Sequence, residues 1–265
     1  MPKLNLFSFM LFDEIIFGPV NSRRLGISLG INVLPTQSKY CTFDCIYCEC
    51  GWTHSDQKIR AKLYSREEIK NAMLTRFPEI IQQGIIPDSI TFAGNGEPTI
   101  HPDFSGIIDD VHELRNRFFP NAKIAILSNA SLIHKPHVKE TLLRMDDCIL
   151  KLDAGSEEMF HRINRPSGNV KLADIVDELI SFNGKLIIQT LLLRGEYNGE
   201  RIDNTSDFEI DLWLEHLKKI DPQSVMIYCI DRATPARNLE KVSVEEMETI
   251  AEKVRLLGIT AEVFS

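Results

Sequence analysis

Short apolar segments alternate with longer amphipathic segments along almost the whole chain, and this alternation limits the fold more than any other feature. The short segments are apolar on both faces, as in Ile124-Ala125-Ile126-Leu127, which is typical of strands in a parallel sheet covered by helices. Six strand–helix units follow in strict order, which predicts an α/β fold with right-handed crossovers. An open doubly wound sheet and a barrel or partial barrel both fit, and both place function at the carboxyl ends of the strands.

The expected element boundaries follow from this pattern and from local capping signals. Strands are expected at residues 25–34, 89–93, 123–127, 148–152, 185–193, 224–229 and 259–264. Helices are expected near residues 104–117, 137–144, 172–182 and 210–219. Capping boxes that start at Ser65 and Ser243 predict two further helices, which should end at Gly84 and Gly258. The first of these should be interrupted near Pro78.

Composition excludes several other classes of protein. Of the 265 residues, 43% are apolar and 26% are charged, as in an ordinary globular chain rather than a disordered polymer or a disulfide scaffold. The formal charge of −8 disfavours a protein that coats nucleic acid or an acidic membrane. No apolar run approaches the ~20 residues of a membrane span, and residues 4–12 read as a packed strand or an N-terminal cover rather than a signal peptide. We therefore expect a cytoplasmic protein with reduced thiols and no membrane partner.

Four of the six cysteines fall within ten residues, at Cys41, Cys45, Cys48 and Cys50. In a reducing compartment such a cluster indicates a metal or catalytic site rather than disulfides. Soft thiolates in a loop after the first strand favour zinc or iron–sulfur. A 4Fe–4S cluster usually takes four cysteines, so three would leave one iron open to another ligand. The alternative is a structural zinc site, completed by Cys50 or His54.

The order Cys41-x-x-x-Cys45-x-Tyr47-Cys48 resembles the cysteine motif of the radical S-adenosylmethionine superfamily. A second segment, Gly94-Asn95-Gly96-Glu97-Pro98, follows the second strand and is similar to the superfamily's Gly-Gly-Glu-Pro motif, with Asn95 inserted. The resemblance covers nearly the whole chain. It implies a partial (β/α)6 TIM-like barrel of parallel strands in a single domain, residues 25–265, with an N-terminal extension, residues 1–24, packed on the core.

The resemblance also implies a cofactor set and a role for individual residues. The 4Fe–4S cluster would be held by Cys41, Cys45 and Cys48, with S-adenosylmethionine on the open iron. A flavodoxin- or ferredoxin-like donor would supply the electron that releases a 5′-deoxyadenosyl radical, and this radical abstracts hydrogen from substrate. The resemblance implies further contacts to S-adenosylmethionine. Tyr47 would lie near the adenine, and Ser128 and Asn129 would contact methionyl or ribose oxygens. The methionyl amine would be bound by Gly94, Asn95, Gly96 and Glu97.

Polar residues at the expected substrate end are candidates for catalysis. Lys151 and Asp153 are two positions apart, so they share a face of the fourth strand, and Gln189 lies mid-strand among apolar residues. A structural ion pair and a satisfied core amide are the alternatives for these residues. Five arginines fall in loops at the expected mouth and predict an anionic substrate, unless they are ordinary solvated side chains: Arg162, Arg165, Arg194, Arg232 and Arg237.

Within the superfamily, residues 17–26 (Phe-Gly-Pro-Val-Asn-Ser-Arg-Arg-Leu-Gly) resemble a group related to wyosine-base synthases, which rebuild a guanine in tRNA. Segments 151–155 and 162–166 add to this likeness. Those synthases carry a second cluster on N-terminal cysteines, and no cysteine precedes Cys41 here. We therefore expect a radical S-adenosylmethionine enzyme of unidentified substrate, and nucleic acid is not the favoured partner. An RNA-base modifier and a non-catalytic zinc or iron–sulfur protein are the alternatives.

Overall fold

The computed structural model of the protein describes residues 10–53 and 62–265. Residues 4–9 of the expected N-terminal segment and His54 lie outside this part of the chain. Within it, the strands form one sheet. They are β1 (Ile16–Ser22), β2 (Gly26–Ile31), β3 (Ser89–Phe92), β4 (Lys123–Ser128), β5 (Asp147–Lys151), β6 (Ile187–Tyr197), β7 (Glu200–Asp203), β8 (Ser224–Cys229), β9 (Asn238–Lys241) and β10 (Thr260–Phe264).

The sheet is a partial barrel with the order β1-β2-β3-β4-β5-β6-β8-β10. All pairs from β2 to β10 along this path are parallel, and only β1 pairs antiparallel with its neighbour β2. The α/β, partial-barrel prediction is thus confirmed. The six expected parallel strands are present, and the segment at 259–264 adds a seventh.

The helices of the described chain follow the strands and cover the outer face. They are α1 (Arg66–Gln82), α2 (Phe104–Phe118), α3 (Pro136–Leu142), α4 (Glu157–Asn164), α5 (Leu172–Ile180), α6 (Asp207–Ile220) and α7 (Val244–Arg255). None of them is both long and apolar enough to cross a membrane. The capping box at Ser65 is formed: its hydroxyl accepts from Glu68 N, and the Glu68 carboxylate accepts from Ser65 N. The expected interruption at Pro78 is wrong, because α1 continues through it. The buried side chains Met73, Phe77 and Ile80 hold the helix on the core on both sides of the proline.

Four elements were not expected from the sequence: β1, β7, β9 and α4. Strand β1 lies in the segment assigned to the N-terminal extension and pairs with β2 around a bulge between Phe17 and Val20. Strand β6 runs past the sheet to Tyr197, and its end pairs antiparallel with β7 and β9. Helix α4 follows β5 directly. The barrel sheet thus carries a small antiparallel extension at the carboxyl end of β6.

The inner face of the sheet is built in two layers. Ile149, Ile187 and Met226 form a small apolar cluster separate from the main core. Lys151 and Gln189, two positions further along β5 and β6, are register partners and therefore share that inner face. The apolar layer closes the barrel from below, and the polar layer faces the carboxyl ends of the strands, where loops converge.

Candidate functional site

One cavity of about 340 Å³ lies at the carboxyl ends of the strands. The cysteine loop after β2 forms one wall, and the loop after β3, the end of β4, and β5 and β6 form the others. Its lining includes most of the side chains that the sequence singled out: Cys41, Cys45, Tyr47, Cys48, Gly94, Gly96, Glu97, Ser128, Asn129, Lys151 and Gln189. Asn95 and Asp153 do not line it. The structure thus brings eleven of the thirteen candidate residues to one chamber.

Backbone hydrogen bonds from three parts of the chain hold the cysteine loop in place. Tyr40 N donates to Asn95 O at 2.7 Å, and Glu97 N donates to Tyr40 O at 3.1 Å. Ile46 is fixed on both sides, because its N–H donates to Ile163 O and its carbonyl accepts from Ala236 N, each at 3.0 Å. The loop is therefore preorganised by α4, by the loop after β3 and by the segment after β8.

Two of the three motif sulfurs lie within hydrogen-bond distance of nitrogen donors, and the third lies beside the Cys50 thiol. Phe43 N lies 3.4 Å and Asn129 Nδ2 3.5 Å from Cys41 Sγ, and Asn164 Nδ2 lies 3.6 Å from Cys45 Sγ. Burial raises the pKa of the Cys41 thiol to about 12. A hydrogen bond from Cys50 is the main reason that the pKa of Cys48 falls to about 5. Donors aimed at sulfur suit thiolate ligands, whose charge they partly offset.

Lys39 supplies a positive charge beside the three thiols, and the sequence analysis did not identify it. The residue is 3% exposed, and its Nζ donates to Gly51 O at 3.0 Å and lies 3.6 Å from Asp44 Oδ1. Burial opposes the charged form, but the nearby sulfurs of Cys48, Cys45 and Cys41 raise the pKa of Lys39 overall. The ammonium therefore stays charged and compensates negative charge gathered on the loop.

The donor set fits an iron–sulfur cluster better than a zinc ion. Among residues 10–53 and 62–265, no three His, Cys, Asp or Glu side chains converge closely enough to hold one metal ion. Three thiols instead surround one chamber, as a ligand set for a larger group would. His54, the alternative zinc ligand, lies outside the described residues. Cys50 also lines the chamber, and its Sγ lies 3.5 Å from Gly94 O.

The loop after β3 approaches the cysteine loop so closely that only glycine fits at its turning points. Gly94 and Gly96 have φ values of 145° and 144°. A Cβ on Gly96 would lie 1.9 Å from Tyr40 O, and one on Gly94 would lie 2.4 Å from Asn32 Oδ1. These glycines expose backbone groups to the chamber where side chains would block the contact.

Asn95, expected among the cofactor contacts, has its side chain turned away from the chamber. Its Oδ1 accepts from Phe12 N at 2.8 Å, while its Nδ2 donates to Phe12 O at 2.8 Å and Pro35 O at 2.9 Å. All three hydrogen bonds of the side chain are made with main-chain groups, and the residue is fully buried. Its side chain therefore fastens Phe12 over the loop, and its backbone is engaged as well, because Asn95 N donates to Asn32 Oδ1 at 3.2 Å and Asn95 O accepts from Tyr40 N.

Glu97 is engaged by protein donors on both carboxylate oxygens. Its Oε1 accepts from Thr99 Oγ1 at 2.6 Å and Ser128 Oγ at 2.8 Å, and its Oε2 accepts from Asn129 N at 2.6 Å. Burial raises the pKa of Glu97, against the effect of these hydrogen bonds. The side chain ties the loop after β3 to the end of β4, which sets the position of Ser128 and Asn129.

Tyr47, Lys151 and Asp153 form one buried network. The Tyr47 hydroxyl donates to Asp153 Oδ2 and accepts from Lys151 Nζ, whose distance to Asp153 Oδ2 is 3.6 Å. Asn164 Nδ2 donates to the same oxygen at 2.8 Å, and Leu191 N donates to Oδ1 at 2.9 Å. Burial opposes the charge on Lys151, but Asp153 raises its pKa overall. The pair is an ion pair as the sequence allowed, with Lys151 at the chamber wall and Asp153 behind it.

The arginine prediction is wrong in its placement. None of the five loop arginines lines the chamber. Arg194 pairs with Glu246, Arg232 with Glu49, and Arg162 with Glu158 and Glu200. Arg165 stacks on Trp52 and Tyr197. The arginine that does line the chamber is Arg24, from the turn between β1 and β2.

Comparisons with known proteins agree with this geometry. A model of the radical SAM superfamily matches residues 37–208. A UPF0026 protein of Methanocaldococcus jannaschii is 33% identical over 258 residues, 92% of this chain and 75% of that protein. An S-adenosyl-L-methionine-dependent tRNA 4-demethylwyosine synthase of Oryza sativa subsp. japonica is 23% identical over 78% of this chain, which spans 32% of that protein.

A solved structure shares the fold. The radical SAM methyltransferase from Sphaerobacter thermophilus superposes with a TM-score of 0.65 and 15% identity, over 89% of this chain. The chain spans 65% of that protein, so less than two thirds of its length has a counterpart here.

Proposed function

Because the chain belongs to the radical SAM superfamily, we propose that it cleaves S-adenosylmethionine reductively at a 4Fe–4S cluster held by Cys41, Cys45 and Cys48. The cluster and S-adenosylmethionine together would supply a 5′-deoxyadenosyl radical that abstracts hydrogen from substrate. The observation that carries this proposal is that three thiols and the glycine turns at Gly94 and Gly96 share one chamber.

The role of the protein itself is to position the cofactors and to shield them from solvent. The backbone at Gly94 and Gly96 is open to the methionyl amine, and Asn129 bridges the cysteine loop to β4 through Cys41 Sγ and Thr42 Oγ1, the latter at 2.9 Å. Lys39 offsets the charge of thiolate ligands. Tyr47 also lines the chamber, and its hydrogen bonds to Lys151 and Asp153 fix the position of its hydroxyl.

Lys151 is the residue that we propose contacts the substrate, either by exchanging a proton with it or by binding its carboxylate. It lies on β5, on the side of the chamber away from β3. Its Nζ sits 4.8 Å from the centre of the Tyr47 ring and is paired with Asp153 behind the wall. A charged ammonium held in this way can orient a substrate carboxylate or carbonyl oxygen. The electron donor we propose is flavodoxin- or ferredoxin-like, since such carriers reduce low-potential clusters.

The experiment is an anaerobic assay for 5′-deoxyadenosine. The protein is loaded with iron and sulfide, mixed with S-adenosylmethionine and dithionite, and its iron and acid-labile sulfide are measured in parallel. We expect 5′-deoxyadenosine from the wild type, and neither cluster nor product from Cys45→Ala.

Cys148→Ala is the matched control, because Cys148 is a buried cysteine on β5 outside the chamber. It should keep full iron and sulfide. Uptake of zinc alone by the wild type, or a full cluster in Cys45→Ala, would overturn the ligand assignment. A full cluster with no cleavage of S-adenosylmethionine would mean either that the substrate must be present to trigger cleavage or that the chain is an electron carrier.

A further inference from the structure

We propose that Arg24 and Gln189 form a binding site for an anionic group of the substrate, a carboxylate or a phosphate, on the side of the chamber bounded by β6 and by the turn between β1 and β2. This inference rests on the proposed function, because it names the substrate class of the same chamber.

Arg24 reaches the chamber from the turn between β1 and β2 and is fixed there. Its guanidinium carbon lies 4.8 Å from the centre of the Tyr228 ring on β8. The neighbouring Arg23 pairs with Asp231 just after β8, with a distance of 3.4 Å between Nη2 and Oδ2. The contact with Tyr228 therefore holds the guanidinium beside β8, and the half-exposed Arg23 pair contributes little to its position.

The guanidinium has donor capacity that the protein leaves unused. Its Nη1 is buried and finds no hydrogen-bond acceptor among the described residues. In the same part of the chain, no carboxylate lies within 4.0 Å of it. A buried charged donor without an acceptor is costly. We therefore infer that a bound ligand supplies the acceptor for this atom.

Gln189 supplies a second unused donor on the same chamber. The residue is 6% exposed, and its Nε2 has no acceptor within the described chain. Register places it beside Lys151 on β5 and Met226 on β8. The two unpaired nitrogens, one charged and one neutral, match the acceptor-only oxygens of a carboxylate or phosphate.

The position of these donors separates them from the residues implied for the cofactor. Gly94 and Gly96 follow β3, and Ser128 and Asn129 end β4, whereas Gln189 lies on β6 and Arg24 stacks on a β8 side chain. The other two cations among the described residues of the lining have counter-ions: Lys151 has Asp153, and Lys39 has Asp44, whose Oδ1 lies 3.6 Å from Lys39 Nζ. The unbalanced positive charge of the chamber therefore lies in the half away from β3 and β4, which favours the substrate as the ligand.

Binding is tested with two probes, sodium acetate and inorganic phosphate, at constant ionic strength against sodium chloride. Thermal unfolding of the wild type should shift upward with one or both probes, and the stronger probe identifies the group. We expect Arg24→Gln to weaken the apparent affinity by about tenfold or more. Gln189→Glu should weaken it as well, because a carboxylate of similar size would repel the anion.

Arg23→Gln is the matched control. It removes one positive charge from the adjacent residue, whose side chain is 52% exposed and lies outside the chamber. It should respond to the probes as the wild type does. An equal response in Arg24→Gln and the wild type, or no response in the wild type, would overturn the inference.

S-adenosylmethionine binding is measured on the same variants. If Arg24→Gln loses affinity for S-adenosylmethionine and keeps its anion response, Arg24 serves the cofactor and the inference is wrong. If the wild type forms no 5′-deoxyadenosine but its anion response depends on Arg24, the anion site stands and the proposed reaction fails. The two failures are thus distinguishable.

Discussion

The hydroxyl of Tyr47 donates a hydrogen bond to the carboxylate of Asp153, which ties the cysteine loop to the segment just after β5. Tyr47 precedes the last cysteine of the motif, and Asp153 is 106 positions further along the chain. The same carboxylate accepts from Asn164, whose Nδ2 also lies 3.6 Å from Cys45 Sγ. The loop that would hold the cluster and the strand that carries Lys151 therefore share one buried anion.

Tyr47→Phe should destabilise the protein by about 1–3 kcal/mol, because it removes a buried bond to a charged acceptor without opening a cavity. Urea unfolding at neutral pH measures the change. Tyr64→Phe is the control, since its hydroxyl bonds only the neutral Thr36 Oγ1, at 3.0 Å, and about 1 kcal/mol or less is expected. Equal losses in the two variants would show that Asp153 does not depend on Tyr47.

Gly96→Ala should prevent the cysteine loop from closing, because its Cβ would overlap Tyr40 O and its φ of 144° is unfavourable for alanine. We expect loss of iron binding together with a stability loss of several kcal/mol, roughly 3 or more. Gly168→Ala has a positive φ of 78° but no atom within 4 Å of its Cβ, and should cost only about 1 kcal/mol. Iron content and urea unfolding report both effects, and normal iron binding in Gly96→Ala would contradict the close approach.

Asp110 should make stability depend on acid pH. It is buried on α2, and its bonds to Arg66 and Lys70 lower the pKa of its carboxyl. A lowered folded-state pKa gives stability that is complete above the unfolded value of about 4 and is lost as the pH falls through the lowered value. Asp110→Asn should therefore cost about 1.5–3 kcal/mol at pH 7 and less at pH 3.

Unfolding in urea at the two pH values tests this, with Asp109→Asn as the neighbouring control. Asp109 pairs with Arg144 at the surface, where both side chains are about half exposed, so its loss should cost under about 1 kcal/mol at either pH. A cost of Asp110→Asn that does not change between pH 7 and pH 3 would mean that its charge is not what stabilises α1 against α2.

Lys39→Met should make the cluster harder to reduce, because reduction adds negative charge beside a site that has lost its buried cation. We expect the potential to move to more negative values by on the order of tens of millivolts. Lys39→Arg keeps the charge and should stay near the wild type. An electron paramagnetic resonance titration gives the potentials, and identical values for Met and Arg variants would exclude an electrostatic role for this residue.

The strands and helices of the barrel were predictable because their apolar pattern is local. Strand β8 falls at residues 224–229 as expected. Strand β1 was not expected, because proline and asparagine, here Pro19 and Asn21, are disfavoured in strands and because its antiparallel pairing depends on β2. Strands β7 and β9 are short and mostly exposed, so no apolar alternation marks them, and their partner is the distant end of β6.

The residues of the candidate site also fall into those that could be predicted from local sequence and those that could not. The spacing of the cysteines and the glycines follows from local geometry, so both motifs could be recognised in the sequence. The arginines could not be placed, because the acidic partner of Arg194 is 52 positions away at Glu246 and that of Arg232 is 183 positions away at Glu49. Lys39 belongs to no recognised motif, and Arg24 lies in the segment 17–26 whose likeness gave no role to that residue. The positions of both side chains depend on contacts that only the folded chain makes.

Arg24 and Tyr228 lie on either side of residues 37–208, the part of the chain that matches the superfamily model. Arg24, which lines the chamber, is therefore braced by a contact made entirely outside that part, whereas Lys151 and Gln189 lie within it. Recognition of what enters the chamber would draw on both parts of the chain, while the three motif cysteines and the glycine turns all belong to the matched part. A fragment limited to residues 37–208 would keep the residues proposed for the cofactor and lose Arg24.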